Sequence, residues 1–132
     1  MIEGIICRAM EYRERAVKYF MNFEEERLRE NFDKAGEALW GVISCLLNAI
    51  HLLEKGKPIT DHQMMRQFAV HYLVSMTDEG ERLVGIFKRA EKLHANFYHS
   101  FLDRDEFNEL CNEIIELIKV LEELYNREMS KF

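Results

Sequence analysis

The residues best suited to chemistry in this 132-residue chain lie in one short stretch, from Leu93 to Phe101. The stretch reads Leu-His-Ala-Asn-Phe-Tyr-His-Ser-Phe, so two histidines, an asparagine and three aromatic residues share nine positions. Imidazole changes its charge near neutral pH, and the Asn96 amide both donates and accepts hydrogen bonds. His94, Asn96 and His99 are therefore the first residues to consider for a functional site.

One residue pair in this region has a spacing known from metal sites. Glu91 and His94 form a single Glu-x-x-His, the spacing with which a bundle helix presents two ligands to a di-iron centre. Such a centre needs a second Glu-x-x-His and further carboxylates, and the sequence contains no second one. Glu109, Glu113 and Glu116 are better interpreted as the solvated face of the last helix. We therefore predict neither a metal site nor a cofactor.

The composition favours a small helical protein of one domain, spanning residues 1–132. One proline, six glycines and many Leu, Glu, Ile, Met, Lys and Arg residues favour helix. The net charge of −6 and the pI near 5.4 mean that the molecule as a whole does not attract nucleic acid or an anionic membrane. Cys7, Cys45 and Cys111 contain no Cys-x-x-Cys pair and are expected to be buried thiols in a reducing cytoplasm. No membrane partner is expected, because no run reaches the roughly 18 apolar residues of a span.

Hydrophobic periodicity and helix-end signals predict an all-α bundle of about five helices. The first helix runs from Ile2 to about Phe23, where Asn22 and the acids that follow it mark a break. The second runs to about Lys55 and ends at Gly56. The other three are predicted to open at Thr60 (with Gln63, running to about Ser75), near Thr77, and at Asp103 (with Glu106).

The second helix is apolar nearly all round between residues 38 and 53. One stripe consists of small side chains that allow another helix to approach closely: Ala38, Gly41, Cys45 and Ala49. A further apolar edge contains Trp40, Leu47 and His51. A helix of this kind is normally buried, so we predict that it is the central helix, or that one side of it is a subunit interface.

Projecting the fourth helix at about 100° per residue separates two faces. His94 falls near the centre of an apolar face that also contains Leu83, Ile86, Phe87, Ala90, Leu93, Phe97 and Phe101. The opposite, locally basic face contains Arg89, Lys92, Asn96 and His99. The projection predicts that His94 points inward while the basic face meets solvent or a partner.

Two segments together resemble a known family. They read Glu-Ala-Leu-Trp-Gly-Val at 37–42 and Ala-Glu-Lys-Leu-His-Ala-Asn-Phe-Tyr at 90–98. They are similar to the signatures of the archaeal PaREP family, which carries an LWGA-like motif on a long helix and LHANFY on a later one. The resemblance follows the order of elements over roughly residues 5–125. It implies a HEPN-like helical bundle with two long antiparallel helices, often paired as a homodimer, and no settled activity.

The HEPN superfamily includes metal-independent endoribonucleases, whose signature is Arg, four to six residues, then His. Such a pair takes the proton of a 2′-hydroxyl and stabilises the charged phosphorane. Arg89 and His94 match the spacing, although they lie about 140° apart on a regular helix. In the alternative register of His94 and His99, a histidine stands where Arg is expected. Other HEPN proteins are toxin or antitoxin partners whose modified tyrosine follows the histidine by two positions, where this chain has Asn96 or Phe101.

Three functional hypotheses follow from the resemblance. The first is a non-catalytic homodimer that binds RNA or a nucleotide, a small ligand or a small protein, with the Trp40 edge and the fourth helix forming a seam or groove. The second is a metal-independent endoribonuclease, and the third is a toxin-antitoxin-like partner protein. The candidate catalytic residues are Arg89, His94 and His99, and the candidate binding residues are Trp40, His51, Lys92, Asn96 and Tyr98.

Overall fold

The computed structural model describes residues 1–95 and 102–132, and this part of the chain is an all-α bundle, as predicted. Five helices follow one another: α1 (Ile2–Leu28), α2 (Phe32–Lys55), α3 (His62–Met76), α4 (Gly80–Ala95) and α5 (Arg104–Met129). The predictions made for Asn96, Phe97, Tyr98, His99 and Phe101 lie outside the described residues.

The second helix, α2, is the centre of the bundle, as its apolar sequence predicts. It contacts each of the four other helices, and its main seam is fully buried at Leu39, Ile43, Leu46 and Ile50. By length and composition alone α2 would also be apolar enough to cross a membrane, but 83% of its apolar window is buried inside the protein. The chain's own helices therefore cover the side that was the alternative candidate for a subunit interface.

Small side chains let α1 lie close to α2, and this helix pair has the most extensive contact in the described part of the chain. A Cβ atom on Gly41 would come within 2.8 Å of the Tyr19 ring. Near the other end of α2, the side chain of Ile5 lies beside Gly56. The predicted stripe of small residues thus has the expected role at Gly41, because a larger residue there would displace the tyrosine.

The predicted break at Asn22 is wrong. The first helix continues to Leu28 because Phe23 is fully buried, and the Arg27 guanidinium covers its ring at 4.8 Å. The chain turns instead at Glu30, which has a φ of 61° in the left-handed region, and α2 begins after Asn31. Packing of one aromatic residue therefore outweighs the local signal of a cap followed by acids.

Two predicted helix starts can be compared with the observed caps. Asp61, rather than Thr60, caps α3, because its side chain accepts a hydrogen bond of 2.8 Å from the backbone N–H of Met64. Asp103 caps α5 as predicted, accepting from the N–H of Glu106 at 2.8 Å. Short acidic side chains thus satisfy N–H groups that a helix leaves without a partner.

The start of α4 is at Gly80, three residues after the predicted start at Thr77. The Thr77 hydroxyl donates to the carbonyl of Leu73 at 2.6 Å and so belongs to the end of α3. A Cβ atom on Gly80 would lie 2.5 Å from the Cα of Val74. The turn between α3 and α4 therefore requires glycine at this position.

The prediction that all three thiols are buried is wrong for one of them. Cys45 and Cys111 are buried, whereas Cys7 is exposed on the outer side of α1, and none of the three is in a disulfide. Burial raises the pKa of the Cys45 thiol and raises that of Cys111 to about 12. Only Cys7 is therefore accessible to thiol chemistry in the folded protein.

Candidate functional site

The inner face of α4 is buried as the projection predicts, but His94 lies at its edge. Leu83, Phe87 and Leu93 are buried in the core, whereas 35% of the His94 side chain is exposed. His94 comes one residue before the end of the described helix, so it lies where the bundle opens to solvent. The ring therefore stands at the rim of the core and is not sealed within it.

A carboxylate from the central helix holds the His94 imidazole. The Nδ1 atom of His94 is 2.8 Å from Oε2 of Glu37, and both side chains are about one-third exposed. Nδ1–H donates to the carboxylate, which fixes the orientation of the ring and leaves Nε2 as the second nitrogen for another group. Such a carboxylate–imidazole pair suits either ligand binding or proton transfer.

Two further rings contact His94. The Trp40 indole stacks on it with ring centroids 5.4 Å apart and an interplanar angle of 20°. On α3, the His62 ring lies 5.6 Å away at 31°. Trp40 is 5% exposed, His94 is half-buried and His62 is exposed, so the three rings form a series from the core to the surface. We call Glu37, Trp40, His62 and His94 the rim cluster.

Close packing of α2 against α4 brings these residues together. Glu37 and Trp40 are three positions apart and therefore share one face of α2. Beside them, a Cβ on Gly36 would be only 3.1 Å from the Leu93 side chain, so the missing side chain lets Leu93 approach α2. Because His94 follows Leu93 directly, this approach also sets the distance between His94 and Glu37.

The second half of the predicted catalytic pair is engaged elsewhere. The Arg89 guanidinium forms an ion pair with Glu113 on α5, on the surface of the bundle. Lys92 is also exposed, as predicted for this face. Because Arg89 pairs with Glu113 on α5 and His94 pairs with Glu37 on α2, the structure does not bring these two candidate catalytic residues together within one chain.

The other member of the Glu-x-x-His spacing is also engaged. Glu91 forms a bidentate ion pair with the Arg66 guanidinium on α3, which donates hydrogen bonds of 2.9 to 3.2 Å to the carboxylate. Within residues 1–95 and 102–132, no group of three or more His, Cys, Asp or Glu side chains could hold a metal ion. The side chain of Glu91 thus ties α3 to α4.

His51 belongs to a different part of the molecule from the rim cluster. It is buried, its Nδ1 donates to the carbonyl of Lys57 at 2.5 Å, and its ring meets the edge of Phe68 at 4.7 Å. Nearby, Asn48 accepts a hydrogen bond from the N–H of Ile59 at 2.8 Å. Both side chains hold the connection between α2 and α3, with Asn48 about two and His51 about three helical turns away from Trp40.

Two members of the rim cluster were not among the residues singled out from the sequence. Glu37 could have been found, because its spacing from Trp40 places both on one side of the central helix. His62 carries no such signal. It reaches His94 only because α3 begins beside the end of α4, which depends on the path of the intervening chain.

Comparison with known proteins adds no family assignment to this geometry. The chain matches no protein-family model, no curated protein and no solved structure. The resemblance of residues 37–42 and 90–98 to PaREP signatures therefore stays a prediction.

Proposed function

We propose that the protein is a non-catalytic binding module, a HEPN-like bundle with two long antiparallel helices that acts as a homodimer. Its ligand is a nucleobase, presented by a single-stranded RNA or a free nucleotide, and the rim cluster is the binding site. The half-buried carboxylate, the imidazoles and the ring series support this choice, because a base is both planar and rich in hydrogen-bonding groups.

The ring series supports stacking. The outermost ring, His62, is exposed and has a second face for a planar ligand, beyond the face that meets His94. Stacking of a base on an aromatic side chain contributes about 1–3 kcal/mol and needs no particular base. The Glu37 carboxylate adds an acceptor for an amino or imino group, and Nε2 of His94 adds a donor or acceptor according to its protonation.

One observation favours binding over catalysis: separate carboxylates hold Arg89 and His94. Glu113 on α5 neutralises the arginine, and Glu37 on α2 orients the histidine. Cleavage of an RNA backbone requires the cation and the base to act on one phosphate. With the arginine directed to another helix, the described part of one chain supplies the base without its cationic partner.

Trp40 provides the experiment, because it is the only tryptophan and its ring stacks on His94. Nucleoside monophosphates and a single-stranded RNA are titrated in EDTA while tryptophan emission is followed. We expect a saturable change and a loss of affinity of about 10-fold in His62→Ala, from the lost stacking. His71→Ala is the matched control, since it removes another exposed histidine of α3 and is expected to bind like wild type.

Absence of saturable binding to any nucleotide and to RNA would refute a nucleobase as the ligand. Equal weakening in His62→Ala and His71→Ala would show that the base does not stack on the rim cluster. Tight binding of RNA combined with no response to mononucleotides would identify an RNA, rather than a free nucleotide, as the source of the base.

A second candidate function is a metal-independent endoribonuclease, favoured by the hydrogen bond from His94 to Glu37. That bond leaves Nε2 to take the 2′-hydroxyl proton, so that the oxygen attacks phosphorus and the 5′-oxygen leaves. The test is cleavage of structured and unstructured RNA in EDTA by wild type, His94→Ala and His99→Ala. Cleavage that is lost in His94→Ala would replace the binding proposal, whereas no cleavage by wild type excludes this alternative.

A further inference from the structure

Two successive pairs of side chains join α3 to α4. In the first pair, which belongs to the rim cluster, the His62 ring meets the His94 ring. One turn further along α3, the Arg66 guanidinium binds the carboxylate of Glu91, a residue that lies one turn before His94 on α4. A ligand that stacks on the outer face of His62 therefore has Arg66 as its next neighbour along α3.

A groove between the same two helices begins at Arg66 and leads away from the rim cluster. The residues that line it are Arg66, Gln67, Val70, His71, Val74 and Lys88. The two valines give it an aliphatic floor, while Arg66 and Lys88 are exposed at its edge. Its volume of about 500 Å³ is within the range of about 300–1,000 Å³ that is usual for small-molecule sites. The groove therefore has room for part of a small ligand.

The ion pair with Glu91 occupies only one edge of the Arg66 guanidinium. Nε and Nη2 donate to the carboxylate, so the edge formed by Nη1 and the second hydrogen of Nη2 stays open. The Glu91 side chain is 18% exposed and that of Arg66 is 52% exposed, so the carboxylate lies on the protein side of the guanidinium. Glu91 thus balances the charge of Arg66 and orients its open edge as a hydrogen-bond donor for an anion.

Lys88 supplies the net positive charge of the groove. Its side chain is exposed and forms no ion pair within the described part of the chain. Among the described residues no Asp or Glu lines the groove, and α3 contains neither along its whole length. In a chain with a net charge of −6, this local excess of positive charge complements an anionic group.

We propose that this groove is the phosphate subsite of the nucleobase site, and that the ligand is a free nucleoside 5′-monophosphate. The inference rests on the proposed function and narrows its ligand. The base stacks on His62, the ribose lies beside Arg66, and the phosphate is held between the open edge of Arg66 and Nζ of Lys88. Arginine binds a phosphate through its planar fork of N–H groups and lysine binds it as a point charge.

Size and charge favour a single nucleotide over an RNA strand. From His62 to Val70 the helix rises about 12 Å at 1.5 Å per residue, a length that one nucleotide spans. A phosphate monoester carries a charge of about −1.5 to −2 at pH 7, which suits one lysine and one oriented guanidinium. The further phosphates of a strand would meet the acidic remainder of the molecule, where repulsion opposes binding.

The first test compares adenosine 5′-monophosphate (AMP) with adenosine in the Trp40 titration, because the two ligands differ only in the phosphate. AMP is expected to bind about 10-fold more tightly, since adenosine lacks the charge-assisted contacts to Arg66 and Lys88. Equal affinities would overturn the phosphate subsite and leave the nucleobase site standing. If neither ligand nor any RNA binds, the proposed function itself is refuted and this inference fails with it.

The second test places the phosphate with Lys88→Gln, whose folding circular dichroism verifies. The affinity for AMP is expected to fall about 10-fold, to near that for adenosine, while the affinity for adenosine stays unchanged. Lys88→Arg keeps the charge and is expected to retain most of the affinity for AMP. Lys18→Gln, which removes an exposed lysine of α1, is the matched control. Equal losses in Lys88→Gln and Lys18→Gln would show an effect of net charge alone and overturn the subsite.

The third test separates a free nucleotide from a strand. At about 0.15 M salt, an adenylate hexamer is expected to bind no more tightly than AMP, because the additional phosphates find no cationic partners. A hexamer that binds about 10-fold more tightly than AMP would overturn the free nucleotide as the ligand, since further phosphates would then contact the protein.

Discussion

The His94 ring connects three helices through one side chain. It lies on α4, it stacks on Trp40 and donates to Glu37 of α2, and it contacts His62 of α3. The sequence predicted an inward direction for His94 from helix periodicity alone. Periodicity gives an angle around the helix axis but not the depth of a residue in the bundle, and depth is what leaves this ring half-exposed.

Thiol reactivity tests the placement of individual side chains. With a thiol reagent on the native protein, Cys7 is expected to react quickly while Cys45 and Cys111 react only as the protein unfolds, because burial protects them and raises the pKa of both thiols. Intact mass measured over time should show one rapid modification. In Cys7→Ala that rapid phase should disappear, and a second fast thiol in wild type would contradict the burial described for α2 or α5.

At the scale of helices, two ends with a clear local signal were predicted correctly, whereas the end of α1, which packing decides, was not. Gly56 takes the left-handed conformation that ends α2, and Asp103 caps α5. The first turn, by contrast, is at Glu30, a residue that rarely adopts a positive φ. Its position follows from the burial of Phe23, which depends on contacts with other helices and has no local signature.

Two glycines of α4 offer a matched pair of substitutions. Gly80→Ala is expected to lower the free energy of unfolding by about 1–3 kcal/mol. The new Cβ would lie 2.5 Å from the Val74 Cα, and relieving this clash requires a costly shift of the backbone. Gly85→Ala should raise it by about 0.5–1 kcal/mol, because alanine is the better helix former and its Cβ meets only the Arg89 guanidinium at 3.5 Å.

Urea unfolding followed by circular dichroism measures both variants. The two changes in the free energy of unfolding are predicted to have opposite signs. A general destabilisation of α4 by alanine would not produce this result. If Gly80→Ala were as stable as wild type, the close approach of α3 and α4 at this turn would be wrong.

At the scale of the whole molecule, the free energy of unfolding should decrease as the pH becomes alkaline. The folded protein holds the Cys111 thiol protonated up to a pKa of about 12, whereas an unfolded chain ionises it near its ordinary value of about 8.5. A pKa raised by folding gives stability that is complete below the unfolded value and is lost as pH rises towards the folded one. Stability should therefore fall above about pH 8.5.

The Cys111→Ala variant isolates this contribution. One proton accounts for a slope of up to about 1.4 kcal/mol per pH unit, so the variant should lose less stability than wild type between pH 9 and 11. Comparing slopes removes the constant loss from the smaller side chain. Cys7→Ala, which removes a thiol at the surface, is the control and should keep the wild-type slope. Equal slopes in all three proteins would contradict the protonated state of Cys111.

The central position of α2 has a consequence for the synthesis of the protein. The first helix, α1, precedes α2 in the chain, while α3, α4 and α5, which cover its other sides, follow it. At a translation rate of about 5–20 residues per second, α5 emerges several seconds after α2. During that interval the nascent chain exposes a segment as apolar as a membrane helix, which the finished fold buries.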